Sequence, residues 1–500
     1  MYGCGKTICT GWLLLALGAI CNSTAHADHF TYRDSKGEKV EIEARFVVNE
    51  KGVFVVEMDD GEYRIIPEQA IQKRTPSEGP EPVSAALLLE RLQKKFGAEV
   101  FRGHKQDGYV LGLVLSEPLP KSGEARATAS LRQAATYLRG VNAAFGTFVK
   151  DLQIPVKPAT HPLIVLIFET DEVFEKYTRE VLQGQGLAPR GISGFYYAVS
   201  NVLAIRMSEC FTFEVPLHEA IHQQVYNRHM FQRLAPIPHW FDEGIATGFE
   251  GNKSRISAGP TKVVPRYARQ ALAARVLNWD QVLTDDRVFT GDVLVGEAYG
   301  YAWAMHWLLI TKYRQQYAKY VRMLAEKSPL GPDSNDQRRA EFRSSFGFDV
   351  EKLQQDFRLA LDTAMKRQKV SLATQPAPGL VQMQQNLGQV EIRAVRRVNQ
   401  AGVAGGLEVH GKLVNVSPLR SMAFLVSVET DGGMYNQWLI SEVAPQQTSS
   451  LEPKQVERPI PGSPAQPSSS FRVKIRSVPA GSTAAEKWRS GEVPLPVYQP

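Results

Sequence analysis

Hydrophobic and polar residues alternate in short runs along the first part of the chain. Apolar positions two residues apart recur in residues 30–32, 40–42 and 53–55, and Lys36-Gly37 offers a turn between the first two runs. Alternation of this kind predicts strands with one buried face. We therefore predict a small β module over residues 28–75.

Beyond residue 82 the apolar spacing becomes helical. Leu131, Ala135 and Leu138 begin a long apolar face at intervals of three and four residues, while Leu163–Phe168 is apolar throughout. A short continuous apolar run is typical of a strand that is buried on both faces. We predict that residues 82–368 form a mixed α+β domain, in which helices alternate with a few strands.

Alternation returns near the end of the chain. It predicts a β-sandwich over residues 387–480, which a linker containing Gln and Pro at 369–386 joins to the preceding domain. Residues 481–500 are expected to be a disordered tail. The alternating segments of the sandwich are Val390–Val395, Leu407–Val416, Ala423–Val428 and Phe471–Ile475.

The opening residues, 1–27, have the pattern of a secretory signal peptide. Lys6 precedes an apolar run over 12–20, and Ala25-His26-Ala27 supplies the small residues of a signal peptidase site. Cleavage is expected after Ala27, which makes the protein exported, either periplasmic or secreted. A lipoprotein anchored at Cys21 is the alternative, and the bulky residue before this cysteine disfavours it. No later stretch has the length of apolar sequence that a membrane span needs, so stable membrane insertion is not expected.

Cysteine usage and charge narrow the class of protein further. Three of the four cysteines fall inside the predicted signal, and Cys210 remains. No internal disulfide is therefore expected, and Cys210 is interpreted as a buried small apolar residue. The formal net charge is only +6 over 500 residues. Such a small excess, spread along the chain, argues against nucleic acid as a partner.

The most informative segment is His218-Glu219-Ala220-Ile221-His222, an HExxH motif. Residues four apart share one face of a helix, so both imidazoles can reach one ion while Glu219 lies beside them. Pro216 suits the first turn of such a helix, and Leu217 and Val225 belong to an apolar stripe next to the histidine face. The alternative interpretation is a surface helix whose histidines and glutamate are solvated.

A third metal ligand is expected on a second helix. Twenty residues separate His222 from Glu243, enough for a turn and a helix that returns to the metal. On this spacing we prefer Glu243 to Asp242 or Glu250. Two imidazoles and a carboxylate are typical ligands of catalytic Zn²⁺, whose fourth position is left for water. The predicted cofactor is therefore Zn²⁺.

Two further residues near the motif have alternative interpretations. A histidine ligand of the metzincin type would stand six residues after His222, and His229 is one position late, so we interpret it as solvated. Thr247 lies one turn beyond Glu243. It is either a hydrogen-bond partner of the site or a helix residue with no role in it.

These ligands explain why Glu219 stands inside the motif. Zinc lowers the pKa of bound water to about 7 and polarises a scissile carbonyl. A carboxylate at the position of Glu219 can take the proton of that water and pass it to the leaving amine. The chemistry expected from these residues is amide hydrolysis with Glu219 as the general base.

The stretch Trp240-Phe241-Asp242-Glu243-Gly244-Ile245-Ala246 matches a known pattern, W-x-x-E-G-x-A. The gluzincin metallopeptidases, the thermolysin-like and aminopeptidase N-like clan, carry their ligand glutamate in this pattern. Residues 85–368 resemble that clan, and most closely its bacterial peptidase MA-like families. The resemblance implies a thermolysin-like pair of lobes with His218, His222 and Glu243 as ligands. The G-A-M-E-N stretch of aminopeptidase N is not visible, which argues against aminopeptidase activity.

The resemblance also implies a catalytic tyrosine. In aminopeptidase-like members, a tyrosine at the head of an apolar helix donates a hydrogen bond to the oxyanion. Tyr299, in the stretch Ala298–Met305, is the better match, and Tyr301 is the alternative. Both could instead be aromatic core residues, because the run from Ala298 to Ile310 is almost wholly apolar.

Residues 192–206 alternate in the manner of two short strands around Ser200-Asn201. In the resembled fold such a strand borders the cleft. We hypothesise that an extended substrate adds to its edge through main-chain hydrogen bonds, which give affinity without strict sequence preference.

The two flanking modules resemble known domains less closely than residues 85–368 resemble the gluzincins. The N-terminal module resembles the little β-barrel of endocytic adaptor homology domains, and the C-terminal module resembles Ig-like domains of bacterial surface proteins. The expected fold is multidomain α+β, with a thermolysin-like metallopeptidase lobe pair flanked by a small N-terminal β-barrel and a C-terminal β-sandwich.

The sequence thus predicts an exported zinc-dependent endopeptidase that acts on peptides or proteins. Its terminal β modules are expected to contact an envelope partner. Two alternatives stay open: a non-catalytic envelope binding or scaffold protein with a peptidase-like lobe, and a zinc amidase that acts on peptidoglycan. An intact Glu219 and all three ligand types favour an enzyme over a scaffold.

Overall fold

The structure is a computed structural model that describes residues 27–182, 192–211, 213–250, 256, 259–290, 295–371, 380–398, 404–430, 435–456 and 471–494. The described residues fall into two compact units. One lies within Met1–Met58 and Ile65–Pro80, and the other within Asp59–Arg64 and Glu81–Pro500. The predicted signal peptide lies outside the described residues, apart from Ala27, and stays a prediction.

The N-terminal module is a five-stranded sheet with the strand order β4-β3-β2-β1-β5. Phe30, Phe54 and Ile66 are buried on one face and form its small core. The described strands form an open row with β4 and β5 at its edges, so the predicted closed barrel is wrong. Alternation specifies which face of a strand is buried, but it carries no information about whether the first and last strands pair. The strands are β1 (Ala27–Arg33), β2 (Lys39–Glu50), β3 (Val53–Glu57), β4 (Tyr63–Pro67) and β5 (Ile71–Ser77).

A second, mixed sheet has the strand order β6-β7-β8-β10-β9. The central strands β7, β8 and β10 run parallel, while β6 and β9 are antiparallel at the edges. Every residue of β8 is buried, as predicted, because helices cover both faces of the sheet. The strands are β6 (Phe101–Gln106), β7 (Tyr109–Val114), β8 (Leu163–Phe168), β9 (Gly194–Tyr197) and β10 (Val202–Arg206).

The helices around this sheet and beyond it bury one large core. The long apolar face predicted from Leu131 onward belongs to α2, where Leu131, Ala135 and Leu138 are buried against the sheet. Helix α8 is buried on nearly all sides. The helices are α1 (Ala85–Phe96), α2 (Lys121–Asp151), α3 (Asp171–Val181), α4 (Glu214–Asn227), α5 (His239–Phe249), α6 (Pro265–Ala273), α7 (Trp279–Thr284), α8 (Val295–Lys312), α9 (Arg314–Ala325), α10 (Asn335–Phe346) and α11 (Val350–Gln368), with short 3-10 helices at Glu68–Ala70, Met207–Phe211 and Asp286–Phe289.

The C-terminal region contains two antiparallel sheets, with strand orders β11-β12-β13-β16 and β15-β14-β17. Their buried faces share a core that includes Val390, Leu413 and Val426. Together with the preceding mixed region, these sheets confirm a multidomain α+β fold. The strands are β11 (Leu380–Gln385), β12 (Gly388–Val398), β13 (Ala404–Asn415), β14 (Met422–Thr430), β15 (Tyr435–Val443), β16 (Thr448–Gln455) and β17 (Phe471–Pro479).

Two boundaries in this region differ from the prediction. Strand β11 lies within the predicted linker and pairs with β12, so the sheet begins earlier than expected. The predicted disordered tail is wrong for α12 (Thr483–Arg489), which Ser482 caps and which buries Trp488 against Leu425. Too few apolar residues mark so short a helix for the sequence to reveal it, because its order depends on a tertiary contact.

None of the described helices is both long enough and apolar enough to cross a membrane.

Candidate metal centre

Helix α4 carries the HExxH motif and is anchored at its start. Phe213 precedes it in a left-handed conformation, and the Tyr137 hydroxyl donates to the Phe213 carbonyl over 3.3 Å. The predicted apolar stripe is buried, with Leu217 and Val225 at most 1 % exposed. His218 and His222 each follow a residue of this stripe, so they lie on the neighbouring face of the helix.

Helix α5 brings Glu243 to the same place. Trp240 and Phe241 are fully buried and fix the first turn of the helix in the core. Gly244 faces α8 so closely that an added Cβ would lie 2.7 Å from the Ala302 carbonyl oxygen and would collide with the His306 ring. The glycine of the W-x-x-E-G-x-A pattern is thus needed for close helix packing, which places the neighbouring carboxylate at the site.

His218, His222 and Glu243 form a group that could hold a metal ion, with their ligand atoms all within 4.8 Å of one another. The two Nε2 atoms are 3.1 Å apart, and Glu243 Oε2 lies 2.9 Å from His218 Nε2 and 3.7 Å from His222 Nε2. Tetrahedral coordination with bonds of about 2.0–2.1 Å needs ligand atoms roughly 3.3 Å apart. The three side chains therefore already have the separations that one small tetrahedral ion requires.

The ionisable side chains of this group strongly shift one another's pKa values. Burial opposes the charged imidazolium of His218, but hydrogen bonds to Glu243 and Glu250 outweigh it and raise the pKa of His218 to about 10. Burial likewise opposes a charge on His222, yet Asp242 and Glu243 hold its pKa well above the usual value. Glu243 is partly buried, which opposes its negative charge, but the two histidines hold its pKa well below the usual range. The carboxylates thus create a site that favours positive charge.

Each histidine is held from outside by a second carboxylate. Glu250 Oε1 lies 2.9 Å from His218 Nδ1, and Asp242 Oδ1 lies 3.1 Å from His222 Nδ1. A bond of this kind fixes the proton on Nδ1 and leaves Nε2 free to act as a ligand. Asp242 and Glu250, which the sequence analysis weighed as alternative third ligands, are therefore hydrogen-bond partners of the two histidines.

The sequence contained a partial signal for these partners. Asp242 stands next to Glu243, and Glu250 follows it by seven residues, which is two helical turns and the same face. Two acidic residues at such positions can reach the back of a pair of histidines. The prediction assigned a possible partner role to Thr247 instead, but its hydroxyl donates to the Gly244 carbonyl over 3.1 Å, within its own helix.

Glu219 is partly buried beside His218, His222 and Glu243. The backbone N–H of Tyr196 donates to Glu219 Oε2 over 2.8 Å. Burial raises the pKa of Glu219, while the nearby histidines oppose this shift. Tyr196 belongs to β9, the edge strand, which packs on the first turn of α4 so closely that a Cβ on Gly194 would lie 2.9 Å from Val215. The two short strands predicted over 192–206 are thus confirmed as β9 and β10, and β9 borders the site.

The two candidate tyrosines of α8 have different surroundings. The Tyr299 ring is 6.1 Å from the His218 ring, and Tyr299 is close enough to Glu243 for the two groups to interact electrostatically. Burial and the nearby Glu243 raise the pKa of Tyr299 well above its usual value, so the hydroxyl keeps its proton. Tyr301 instead packs 5.8 Å from the Trp279 ring, in the core. The structure thus brings Tyr299 to the site and leaves Tyr301 outside it.

Two other predicted residues lie away from this centre. His229 is exposed just beyond the end of α4, as expected of a solvated residue. Cys210 is a free cysteine of intermediate exposure in the 3-10 helix before α4, and it is less buried than predicted.

One family model matches the chain, over residues 215–331, and is described as "Protein of unknown function (DUF1570)". The matched segment contains the HExxH motif, Glu243 and Tyr299, together with Asp242 and Glu250. No curated protein matches the chain.

Proposed function

We propose that the protein is a zinc-dependent peptidase of the gluzincin type. The observation that carries this proposal is the convergence of His218, His222 and Glu243 with Glu219 beside them. A structural zinc site has four protein ligands, whereas a catalytic one has three and an open position. The three ligands found among the described residues fit the second kind.

The donor set also favours zinc over harder cations. Two imidazoles and one carboxylate suit Zn²⁺, while Mg²⁺ and Ca²⁺ prefer oxygen ligands alone. When bound, zinc supplies a Lewis acid for the scissile carbonyl and an acidified water as nucleophile.

Residues of the chain have the other roles in the proposed reaction. Glu219 takes a proton from the nucleophilic water and returns it to the leaving amine, and burial brings its pKa closer to the range in which both transfers are efficient. The Tyr299 hydroxyl, protonated at neutral pH, donates to the oxyanion that forms at the scissile carbonyl. Glu250 and Asp242 hold the ligand imidazoles in one tautomer.

The edge strand β9 is the proposed binding site for the substrate. It is the last strand of its sheet and lies against the helix that carries Glu219. An extended peptide that adds to this edge would place its backbone beside the metal ligands. We therefore favour peptides or proteins as substrates, and we infer that the chain acts after export, as its opening residues suggest.

A cleavage assay tests the proposal. The purified, zinc-loaded chain is expected to cleave casein, an unstructured protein substrate. Glu219→Gln should lower the rate by about 10²–10⁴-fold because it removes the proton acceptor, whereas Glu214→Gln, on the same helix with a half-exposed side chain, should not. Zinc binding without cleavage of casein or of a broad peptide panel would contradict the peptidase and favour the scaffold alternative.

A further inference from the structure

A cavity of about 270 Å³ lies behind the metal-bearing helix, and the proposed chemistry does not use it. Its floor is the sheet, through residues such as Val165 and Ile167 of β8. Leu131 and Ala134 of α2 form one wall, and Val416, which follows β13 in the C-terminal region, closes another. Three separate layers of the protein thus enclose a single space, which we call the α2 cavity.

The volume of the α2 cavity needs an explanation. Protein interiors are packed as densely as organic crystals and leave few voids larger than one water molecule. An apolar cavity of about 150 Å³ holds one benzene molecule, so a cavity of about 270 Å³ has room for roughly ten carbon atoms. Cavities at the junction of domains are also the usual place for small-molecule sites.

The lining chemistry limits what can enter. None of the described residues that line the cavity carries a charged side chain. The Tyr137 hydroxyl is already used by the Phe213 carbonyl, and burial raises the pKa of Cys210 to about 12, so its thiol is neutral. The exposed side-chain amides of Gln133 and Gln446 lie at the mouth. An occupant must therefore be uncharged and apolar in its body, with room for one polar group at the opening.

The C-terminal wall of the cavity is held in place without a ligand. Arg420, which follows this wall in the sequence, is 6 % exposed and pairs with Glu169 over 2.7 Å and with Glu117 over 2.8 Å. Both carboxylates belong to the mixed α+β region. A buried, hydrogen-bonded ion pair of this kind fixes the position of two segments relative to each other, so the cavity is preformed.

We propose that the α2 cavity is a binding site for an uncharged alkyl or acyl chain of about eight to ten carbons, with its oxygen head at Gln133 and Gln446. An apolar, preformed space of this volume accommodates such a chain, and the amides at the mouth match an alcohol, ester or amide head. This proposal does not depend on the metal centre or on its activity.

Calorimetric titration with the straight-chain alcohols from butanol to decanol tests the proposal. Each added methylene should lower the dissociation constant about fourfold until the chain fills the cavity, because burial of one CH₂ group strengthens binding by about that factor. Decanoate should bind more weakly than decanol, since none of the described lining residues carries a positive charge to pair with its carboxylate. Affinity that is independent of chain length, or equal for decanol and decanoate, would overturn the proposal.

Variants of α2 locate the site. Ala134→Trp fills the cavity and should abolish decanol binding, while Ala143→Trp, at an exposed position of the same helix, should leave it unchanged. Unchanged binding to a folded Ala134→Trp protein would contradict the proposed location.

A second measurement needs no variant. Because Cys210 lines the cavity, saturating decanol should slow its alkylation by iodoacetamide at pH 10, where about 1 % of a thiol with a pKa of about 12 is ionised and reactive; mass spectrometry of the Cys210 peptide follows the reaction. Alkylation at the same rate with and without decanol would overturn the proposal even if Ala134→Trp failed to fold.

Discussion

The two histidines of the metal centre are supported differently from outside. His222 is hydrogen-bonded to Asp242, which in turn accepts a hydrogen bond from Tyr226 over 2.9 Å, so this support comes from α4 and α5. His218 is bonded to Glu250, whose two oxygens accept from the Tyr267 hydroxyl of α6, each over 2.8 Å. One histidine thus relies on neighbours that are close in sequence, and the other on a third helix.

The two sides of the site therefore depend on different sets of helices. The His222 side needs α4 and α5 to pack together. The His218 side also needs α6, which the close approach of Gly300 holds against α8: a Cβ there would lie 2.7 Å from the Ala271 backbone nitrogen. The His218 side also faces Tyr299 and is therefore the side on which oxyanion stabilisation is expected.

Among the variants that compare the two sides of the site, the largest loss is expected for Tyr299, which lies on the His218 side. Tyr299→Phe should lower kcat for casein cleavage by about 10²–10³-fold, because it removes one donor to the oxyanion. Tyr301→Phe is the matched control, two residues away on the same helix, and should change kcat much less. Steady-state kinetics of both zinc-loaded variants measure this. Equal small losses would remove the assignment of Tyr299.

Removing either outer carboxylate should weaken metal binding. Asp242→Ala and Glu250→Ala are each expected to lower zinc affinity about 10–100-fold, because the histidine that loses its partner is no longer fixed in tautomer and orientation. Competition with a chromogenic chelator gives the affinities. If only one variant bound zinc more weakly, the symmetrical role of the two carboxylates would be wrong.

A smaller effect should distinguish the two tyrosines behind these carboxylates. Tyr226→Phe and Tyr267→Phe each remove hydrogen bonding to a carboxylate, and each should weaken zinc binding about twofold to tenfold. The loss should be larger for Tyr226→Phe, because Arg266 also lies 3.8 Å from Glu250 and partly compensates for Tyr267. The same chelator competition measures both, and a larger loss for Tyr267→Phe would reverse this ranking.

The smallest effect is expected for Arg266 itself. Its side chain is 56 % exposed, and its ion pair with Glu250 is long. Exposed ion pairs contribute little, so Arg266→Gln should weaken zinc binding by less than about fivefold, and less so in high salt. A loss as large as that of Glu250→Ala would show that the arginine, and not Tyr267, holds the carboxylate.

The same comparison explains what the sequence could predict. The three ligands and Glu219 follow from spacing on α4 and α5, and Asp242 lies beside one of them. The link from Glu250 to Tyr267 joins two helices with no fixed spacing between them, so no local pattern could indicate it.

In the flanking regions, too, contacts between distant elements could not be predicted from the sequence. Alternation located the strands of the N-terminal module but not their open arrangement. The short α12 depends on burial of Trp488 against a distant strand, which local composition does not record. Patterns within one element were predictable, whereas contacts between elements were not.

Zinc content measures the central claim most directly. The purified chain, dialysed after zinc loading and analysed by plasma mass spectrometry, should hold one zinc ion per molecule. Glu243→Ala should lose this zinc because it removes a ligand, while Glu219→Gln should keep it because Glu219 is proposed as a base and not a ligand. No zinc in the unmodified chain, or full zinc in Glu243→Ala, would contradict the account.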